Sequence, residues 1–221
     1  MSAKREIRYK DLAKNTNLLS EDVMTYNGSL TREQFMFQEM RLTMRLVLDG
    51  LTDQEVLDRV ITDNLFQYPT EREVKSKCRA CLKRIHCIED MTAITQELAY
   101  GTLGEAKQAT LIAIMCQNQL MAEFMVCVIG EKYRNLDMTI TRKDMNVFFH
   151  DLAERDETVA GWTENTVNKI KSVFRNCLSE AEFIANSRSE ILQPVMISEE
   201  FIDDLKRTGH REFLVAFNVL D

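Results

Sequence analysis

The apolar stretch Thr110–Ile129, TLIAIMCQNQLMAEFMVCVI, decides the fold of this chain. It approaches the length of a helix that spans a membrane. Polar side chains interrupt it at Gln117 to Gln119 and again at Glu123, and each of them would cost free energy in hydrocarbon. We therefore predict a single central helix that is buried within the protein, and no membrane anchor.

The composition around this stretch favours helix throughout the chain. Only 2 Pro and 7 Gly occur in 221 residues, far fewer than the turns of an all-β protein of this length would need. Hydrophobic residues make up 45% and charged residues 29%, which is ordinary for a globular protein and sufficient for a core of normal size. We predict a compact, mainly α fold, formed by one large domain or two small ones.

The start of the chain and the overall charge narrow the class of protein. Residues 1–6 lack the apolar segment of a secretion signal, so the six cysteines are expected to stay reduced in the cytoplasm. A net charge of −7 argues against attraction of the whole surface to nucleic acid. Any contact with nucleic acid would need local clusters of Lys and Arg.

Turn and capping signals divide the chain into three predicted parts. Residues 1–29 form a basic N-terminal arm, residues 30–135 a helical subdomain and residues 136–221 a second helical subdomain. The basic residues of the arm are Lys4, Arg5, Arg8, Lys10 and Lys14. Capping signals predict helix starts at Thr31, Thr52, Thr70, Thr163 and Ser198.

The helix predicted from Thr70 to Ile88 carries a strong charge bias. At 100° per residue its apolar side chains fall on one stripe. The predicted nucleic-acid contacts are Arg72, Lys75, Arg79 and Lys83 on the opposite side, with Lys77 and Arg84 on a flank. With the preceding helix and the break at Phe66–Pro69, this is a helix-turn-helix layout, in which the second helix lies in the major groove of DNA. The alternative is an ordinary solvated helix face.

A second, weaker unit of the same layout follows. A helix from Arg142 to about Leu152 precedes a loop and a helix from Thr163 to Leu178, which exposes the candidate contacts Lys169, Lys171 and Arg175. If Phe183–Ile197 forms a hairpin, the unit is a winged helix with Arg188 near the wing tip, placed to meet a phosphate. The alternative is an ordinary helical subdomain.

Metal binding and catalysis find little support in the sequence. Cys78 and Cys81 fall on the apolar stripe whereas His86 points to the basic side, so convergence on a zinc ion is not expected. The sequence contains no Gly-rich phosphate loop, no G-x-S-x-G elbow and no metalloprotease helix motif. We therefore predict a protein that is not an enzyme and that has no metal or other cofactor.

The order of several stretches resembles a known family. These stretches are LVLDGLT (46–52), VITDNLFQ (60–67), KSKCRACLKRI (75–85), EAKQATLIAIMCQNQLMAEFMVCVIGEKY (105–133) and EKYRNLDMTITRKDMNVFF (131–149). In order and spacing they resemble the BrxA family of BREX (bacteriophage exclusion) phage-defence systems, from about Leu30 to about Leu205. No single motif is diagnostic.

The resemblance implies a small helical protein without enzymatic activity, similar in part to the antitermination factor NusB. It implies binding to double-stranded DNA within a defence set that includes a methyltransferase and ATPases, so other BREX proteins are further candidate partners. The family offers no catalytic residues to carry over. Our expectation is a cytoplasmic monomer that binds duplex DNA mainly through phosphates, with steep salt dependence and weak sequence selectivity. The alternatives are a protein-interaction subunit of the defence complex and RNA binding in the manner of NusB.

Overall fold

The computed structural model describes residues 26 and 29–219, and within them the chain is mainly helical. The α-helices there are α1 (Phe37–Leu48), α2 (Asp53–Thr62), α3 (Glu71–His86), α4 (Thr92–Tyr100), α5 (Leu103–Gln117), α6 (Gln119–Glu123), α7 (Glu131–Arg134), α8 (Arg142–Ala153), α9 (Glu157–Ala160), α10 (Glu164–Glu180) and α11 (Glu199–Arg207). Ser29–Thr31 and Arg211–Phe217 form 3₁₀ segments, and Phe124–Gly130 forms a π-helical segment. The predicted mainly α fold is confirmed. The predicted N-terminal arm lies outside the described residues, apart from positions 26 and 29.

The apolar stretch does not form the single helix that we predicted. Asn118 is extended, with φ −132° and ψ 104°, and its side chain accepts a hydrogen bond of 3.1 Å from the backbone N–H of Met121. It therefore ends α5 and caps α6, and the chain turns by 115° at this point. Among the described residues no single helix is long and apolar enough to cross a membrane; α5 and Gln119–Arg134 pass that test only as a bent pair.

Four phenylalanine rings fix α8 and α10 to the bent apolar stretch. The ring of Phe174 on α10 stacks on that of Phe124 with 4.3 Å between centroids, and on that of Phe149 with 5.9 Å. Phe148 meets Phe124 edge to face at 5.5 Å. Such aromatic pairs stabilise a core beyond the area that they bury. A separate small core joins α2 to α3 and comprises Val56, Leu57, Val60, Val74, Cys78 and Leu82.

The capping signals predicted most helix starts correctly. Thr52 forms a full capping box with Glu55, and the side chains of Thr70, Thr163 and Ser198 accept bonds from the third helical N–H. The start at Thr31 is wrong. Residues 29–31 form a 3₁₀ turn instead, and α1 begins at Phe37, because Arg84 binds the backbone carbonyls of residues 33–35 and holds this segment outside the helix.

The boundary between residues 135 and 136 stays a prediction. The main hydrophobic core contains side chains from both sides of this boundary, from Tyr26 to Phe217. The helix-turn-helix assignment of both units and the likeness to NusB also stay predictions.

Candidate nucleic-acid interface

A capping box and a lysine fix the first turn of α8, which lies at one edge of the candidate interface. Thr141 and Asp144 form a capping box, and Lys132 donates to Asp144 at 2.8 Å and to Asp137 at 2.8 Å. Burial raises the pKa of Asp144, but the bonds from Lys132 and Thr141 outweigh that effect, so its pKa lies below the ordinary value. The carboxylate therefore stays ionised, and the N-terminus of α8 is fixed, with exposed Arg142 as its first residue.

A short turn lies beside α10 and follows it in the chain. The segment predicted as a hairpin is closed by one antiparallel bridge, Ile184–Leu192, and a second bridge joins Thr139 to Ile191. We call residues 183–192 the bridged turn. It comes back alongside the entry to α8, since the N–H of Ile140 donates to the carbonyl of Glu190 at 2.8 Å.

A groove of about 960 Å³ separates α8, α10 and the bridged turn. Its charged residues are the cations Arg142, Lys171, Arg175 and Arg188 and the carboxylates Glu164 and Glu190. Its neutral polar residues are Asn146, Asn168, Ser172, Asn176 and Ser187. Four cations against two carboxylates make this groove locally positive in a chain of net charge −7. Cations mixed with amides and hydroxyls are the groups that contact nucleic-acid phosphates and bases.

Arg175 holds the bridged turn in place. Its Nε donates to the carbonyl of Ser187 at 2.6 Å, and its Nη2 donates to the carbonyl of Ser189 at 2.6 Å. The side chain of Asn186 accepts a hydrogen bond of 3.0 Å from the backbone N–H of Arg188, which fixes the tip of the turn. The Arg188 side chain itself is exposed. Nη1 of Arg175 is buried without a hydrogen-bond partner in the described part of the chain.

We expect Arg175→Met to loosen the bridged turn while α10 stays folded. Methionine keeps the apolar contacts of the stem but donates no hydrogen bonds to Ser187 and Ser189. Amide hydrogen exchange across residues 185–190 should become at least about tenfold faster, because two isolated bridges then hold the turn, and such a turn opens locally at little cost. Arg142→Met, which removes a cation from the same groove without touching the turn, serves as the control. Unchanged exchange in Arg175→Met would contradict the assigned role.

Lys171 lies in the wall of the groove. Its Nζ donates to the Asn146 side chain at 2.8 Å and lies 5.5 Å from the centroid of the Phe149 ring. Burial lowers the pKa of Lys171. The remaining predicted cation of this unit, Lys169, is exposed on α10 but does not line the groove.

The first unit does not form a comparable groove. Arg79 and Lys83 line a shallow depression of about 390 Å³ that also contains Asp53 and His86. The His86 ring lies 2.9 Å from Asp53 and 3.2 Å from Glu89, and hydrogen bonds to these two carboxylates raise the pKa of His86. Asp53 lines the depression as well, and Glu55 and Asp58 are exposed on the same helix. The cations Arg79 and Lys83 therefore share this depression with a carboxylate, in less than half the volume of the groove.

The other predicted contacts of α3 differ widely in exposure. Arg72 is exposed, and Lys75 and Lys77 are half-buried. Lys77 donates to the carbonyl of Arg32 at 2.7 Å and lines a second cleft of about 670 Å³, which shares Asn176 and Ser187 with the groove.

The prediction for Arg84 is wrong. Its side chain is fully buried, and its guanidinium donates to the carbonyls of Glu33, Gln34 and Phe35. Burial lowers the pKa of Arg84. A helical projection considers only the residues of one helix, and it placed the Arg84 side chain on a charged flank. The segment that covers this side chain lies about fifty residues earlier in the chain, so the projection could not show its burial.

The cysteines of α3 are buried, as their stripe predicted. Burial raises the pKa of Cys78 to about 11 and that of Cys81 to about 12, so both thiols stay protonated and unreactive near neutral pH. Within the described part of the chain, no group of three or more His, Cys, Asp or Glu side chains is arranged to hold a metal ion.

The structure thus brings together three of the predicted residues, Lys171, Arg175 and Arg188, in one groove. The sequence analysis did not name Arg142 or the asparagines Asn146, Asn168 and Asn176, which also line the groove. The sequence did contain a signal for Arg142, since this residue directly follows the cap at Thr141 and begins α8, the first helix of the predicted second unit. Together these features define a helical protein that presents a basic, amide-lined groove beside an exposed helix.

Comparison with known proteins identifies the family. The BrxA family model matches residues 24–209, and the chain belongs to the BrxA family. The BREX protein BrxA of Bacillus cereus is 30% identical over 186 residues, covering 83% of this chain and 92% of the relative. The BREX protein BrxA of Paramagnetospirillum magneticum is 21% identical over 194 residues, covering 88% and 96%.

A solved structure shares the fold. The crystal structure of an uncharacterized protein from Magnetospirillum magneticum superposes with a TM-score of 0.73 at 20% identity and covers 87% of this chain and 97% of that one. At this identity the similarity concerns the fold alone.

Proposed function

We propose that this BrxA-family protein binds double-stranded DNA in the groove between α8, α10 and the bridged turn, without catalysing a reaction, as part of phage defence by a BREX system. The observation that carries the proposal is the charge of the groove. Arg142, Lys171, Arg175 and Arg188 converge there, although the chain as a whole is acidic. A local positive surface on an acidic protein concentrates a polyanion at one place.

The arrangement of the helices suits a duplex. In helix-turn-helix proteins the second helix lies in the major groove, and neighbouring segments contact the backbone. Here α10 would be that second helix, since Asn168, Ser172 and Asn176 are exposed along it. Arg142 at the start of α8 and Arg188 on the bridged turn are exposed and line the same groove, where they would contact phosphates.

The affinity should depend steeply on salt. Each phosphate that a cation neutralises releases counterions, so the two exposed cations of the groove, Arg142 and Arg188, should contribute about −1.8 to the slope of log K against log salt concentration. The test is a titration of a random-sequence duplex at about 50 and 200 mM salt, with the wild type and Arg142→Glu/Arg188→Glu. We expect the double variant to bind about 100-fold more weakly, with a slope shallower by about 2.

The matched control is Arg79→Glu/Lys83→Glu, which makes the same charge change on α3. We expect its affinity to stay within about threefold of the wild type, because neither side chain lines the groove. If the control loses binding and the groove variant keeps it, the interface is the first unit. If the wild type binds no duplex at low salt, the proposal fails and a protein-interaction subunit is favoured; a preference for RNA would favour binding in the manner of NusB.

A further inference from the structure

Two amide side chains on α10 offer chemistry that phosphate binding does not need. Asn168 and Asn176 both line the groove and both are exposed. Within the described part of the chain, neither side chain makes a hydrogen bond. By contrast, the Asn146 side chain accepts a bond from Lys171, and that of Asn186 accepts one from the N–H of Arg188. The donors and acceptors of Asn168 and Asn176 are therefore free for a ligand in the groove.

The spacing of the two amides along α10 corresponds to three or four base-pair steps of a duplex. Eight residues along an α-helix advance about 12 Å, and base pairs stack about 3.4 Å apart. Asn168 and Asn176 would therefore reach bases three to four steps apart on DNA lying along α10. Ser172, which lies between them, is already engaged, because its hydroxyl donates to the carbonyl of Asn168 at 3.0 Å.

The identity of these side chains indicates which base they would contact. The amide of Asn donates to N7 and accepts from N6 of adenine in a bidentate pair, whereas Arg and Lys read guanine. The two cations of α10 in this groove are already engaged: Lys171 donates to Asn146, and Arg175 donates to the bridged turn through two nitrogens. Adenine is therefore the base that the free amides of α10 can recognise.

We propose that Asn168 and Asn176 contact adenine edges in the major groove, so that the protein prefers duplexes with two adenines three to four base pairs apart. This inference rests on the proposed function. Phosphate contacts supply most of the affinity, and the two amides add a preference to it.

The test is selection of bound duplexes from a random-sequence library by the full chain. The wild type should enrich adenine at two positions. Asn168→Ala should lose the enrichment at one position and Asn176→Ala at the other, each with about tenfold lower discrimination by titration. Asn165→Ala removes an exposed amide of α10 outside the groove and should keep both preferences.

The affinity for the unselected library distinguishes a loss of base preference from a loss of overall duplex binding. Asn168→Ala/Asn176→Ala should bind that library within about threefold of the wild type, because its phosphate contacts are intact. Binding by the wild type without base preference, or a preference that survives both substitutions, would overturn the inference and leave the proposed function standing. If the wild type binds no duplex, both fail.

Discussion

Replacing Arg84 with methionine is expected to lower the free energy of unfolding by about 3 kcal/mol. The guanidinium is fully buried and donates to the carbonyls of Gln34 at 2.9 Å, of Phe35 at 3.3 Å and of Glu33. Without it these carbonyls lose their donor, at about 1–3 kcal/mol for each one that stays buried. Removing a buried charge offsets part of this loss. The remainder is a large share of a typical domain stability of about 5–15 kcal/mol.

Urea denaturation measures this change, with Lys83→Met as the matched control. Lys83 is the exposed neighbour on the same helix, and its substitution should change stability by less than about 0.5 kcal/mol. Arg84→Lys should also destabilise, because one ammonium group cannot reproduce the fork that reaches three carbonyls. Equal stabilities of Arg84→Met and Lys83→Met would contradict this account.

Replacing Arg155 with methionine is expected to lower the free energy of unfolding by about 3–5 kcal/mol. Glu123 is fully buried, and its carboxylate lies 2.9 Å from Nη2 of Arg155. Its other oxygen accepts bonds from Gln119 at 3.0 Å and from the Tyr26 hydroxyl. Burial and then the neighbouring Glu123 carboxylate raise the pKa of Tyr26, which stays a neutral donor. Among the described residues, the donors that remain to the carboxylate without Arg155 are the neutral side chains of Gln119 and Tyr26.

The double variant Glu123→Gln/Arg155→Met distinguishes the buried charge from a packing defect. Because it removes both charges, it should regain most of the stability and lose only about 1–2 kcal/mol. Arg134→Met, which breaks an exposed ion pair with Glu131, should cost at most about 1 kcal/mol. If the double variant is as unstable as Arg155→Met, the loss comes from packing and the buried-charge explanation is wrong.

These two buried charges also support the candidate interface. Glu123 directly precedes Phe124, whose ring stacks on that of Phe174 on α10, and Arg155 lies two residues after the end of α8. Arg84 fixes residues 33–35, and Gln34 and Phe35 line the cleft that adjoins the groove. The buried charges of Arg84 and Glu123 therefore help to position the segments that line the groove and the adjoining cleft.

Local signals in the sequence accounted for most of the helices. The boxes and caps at Thr52, Thr70, Thr163 and Ser198 are bonds within one helical turn, so their residues suffice to predict them. Capping signals predict a helix start wrongly where a distant side chain binds the same backbone, as Arg84 does just after Thr31. The candidate site was predicted less well, since Lys171, Arg175 and Arg188 were named together with Arg84, which is buried, and without Arg142, which lines the groove.

The sequence by itself determined the mainly α class, most helix starts and the apolar stripes, because helix periodicity and capping depend on residues three or four positions apart. Tertiary structure alone decided the bend at Asn118, the burial of Arg84 and the convergence of Arg142 with Arg188. Each of these depends on which segments pack together. A helix fixes which side chains share a face, but only the packing of distant segments determines whether that face meets water, a carbonyl or another cation.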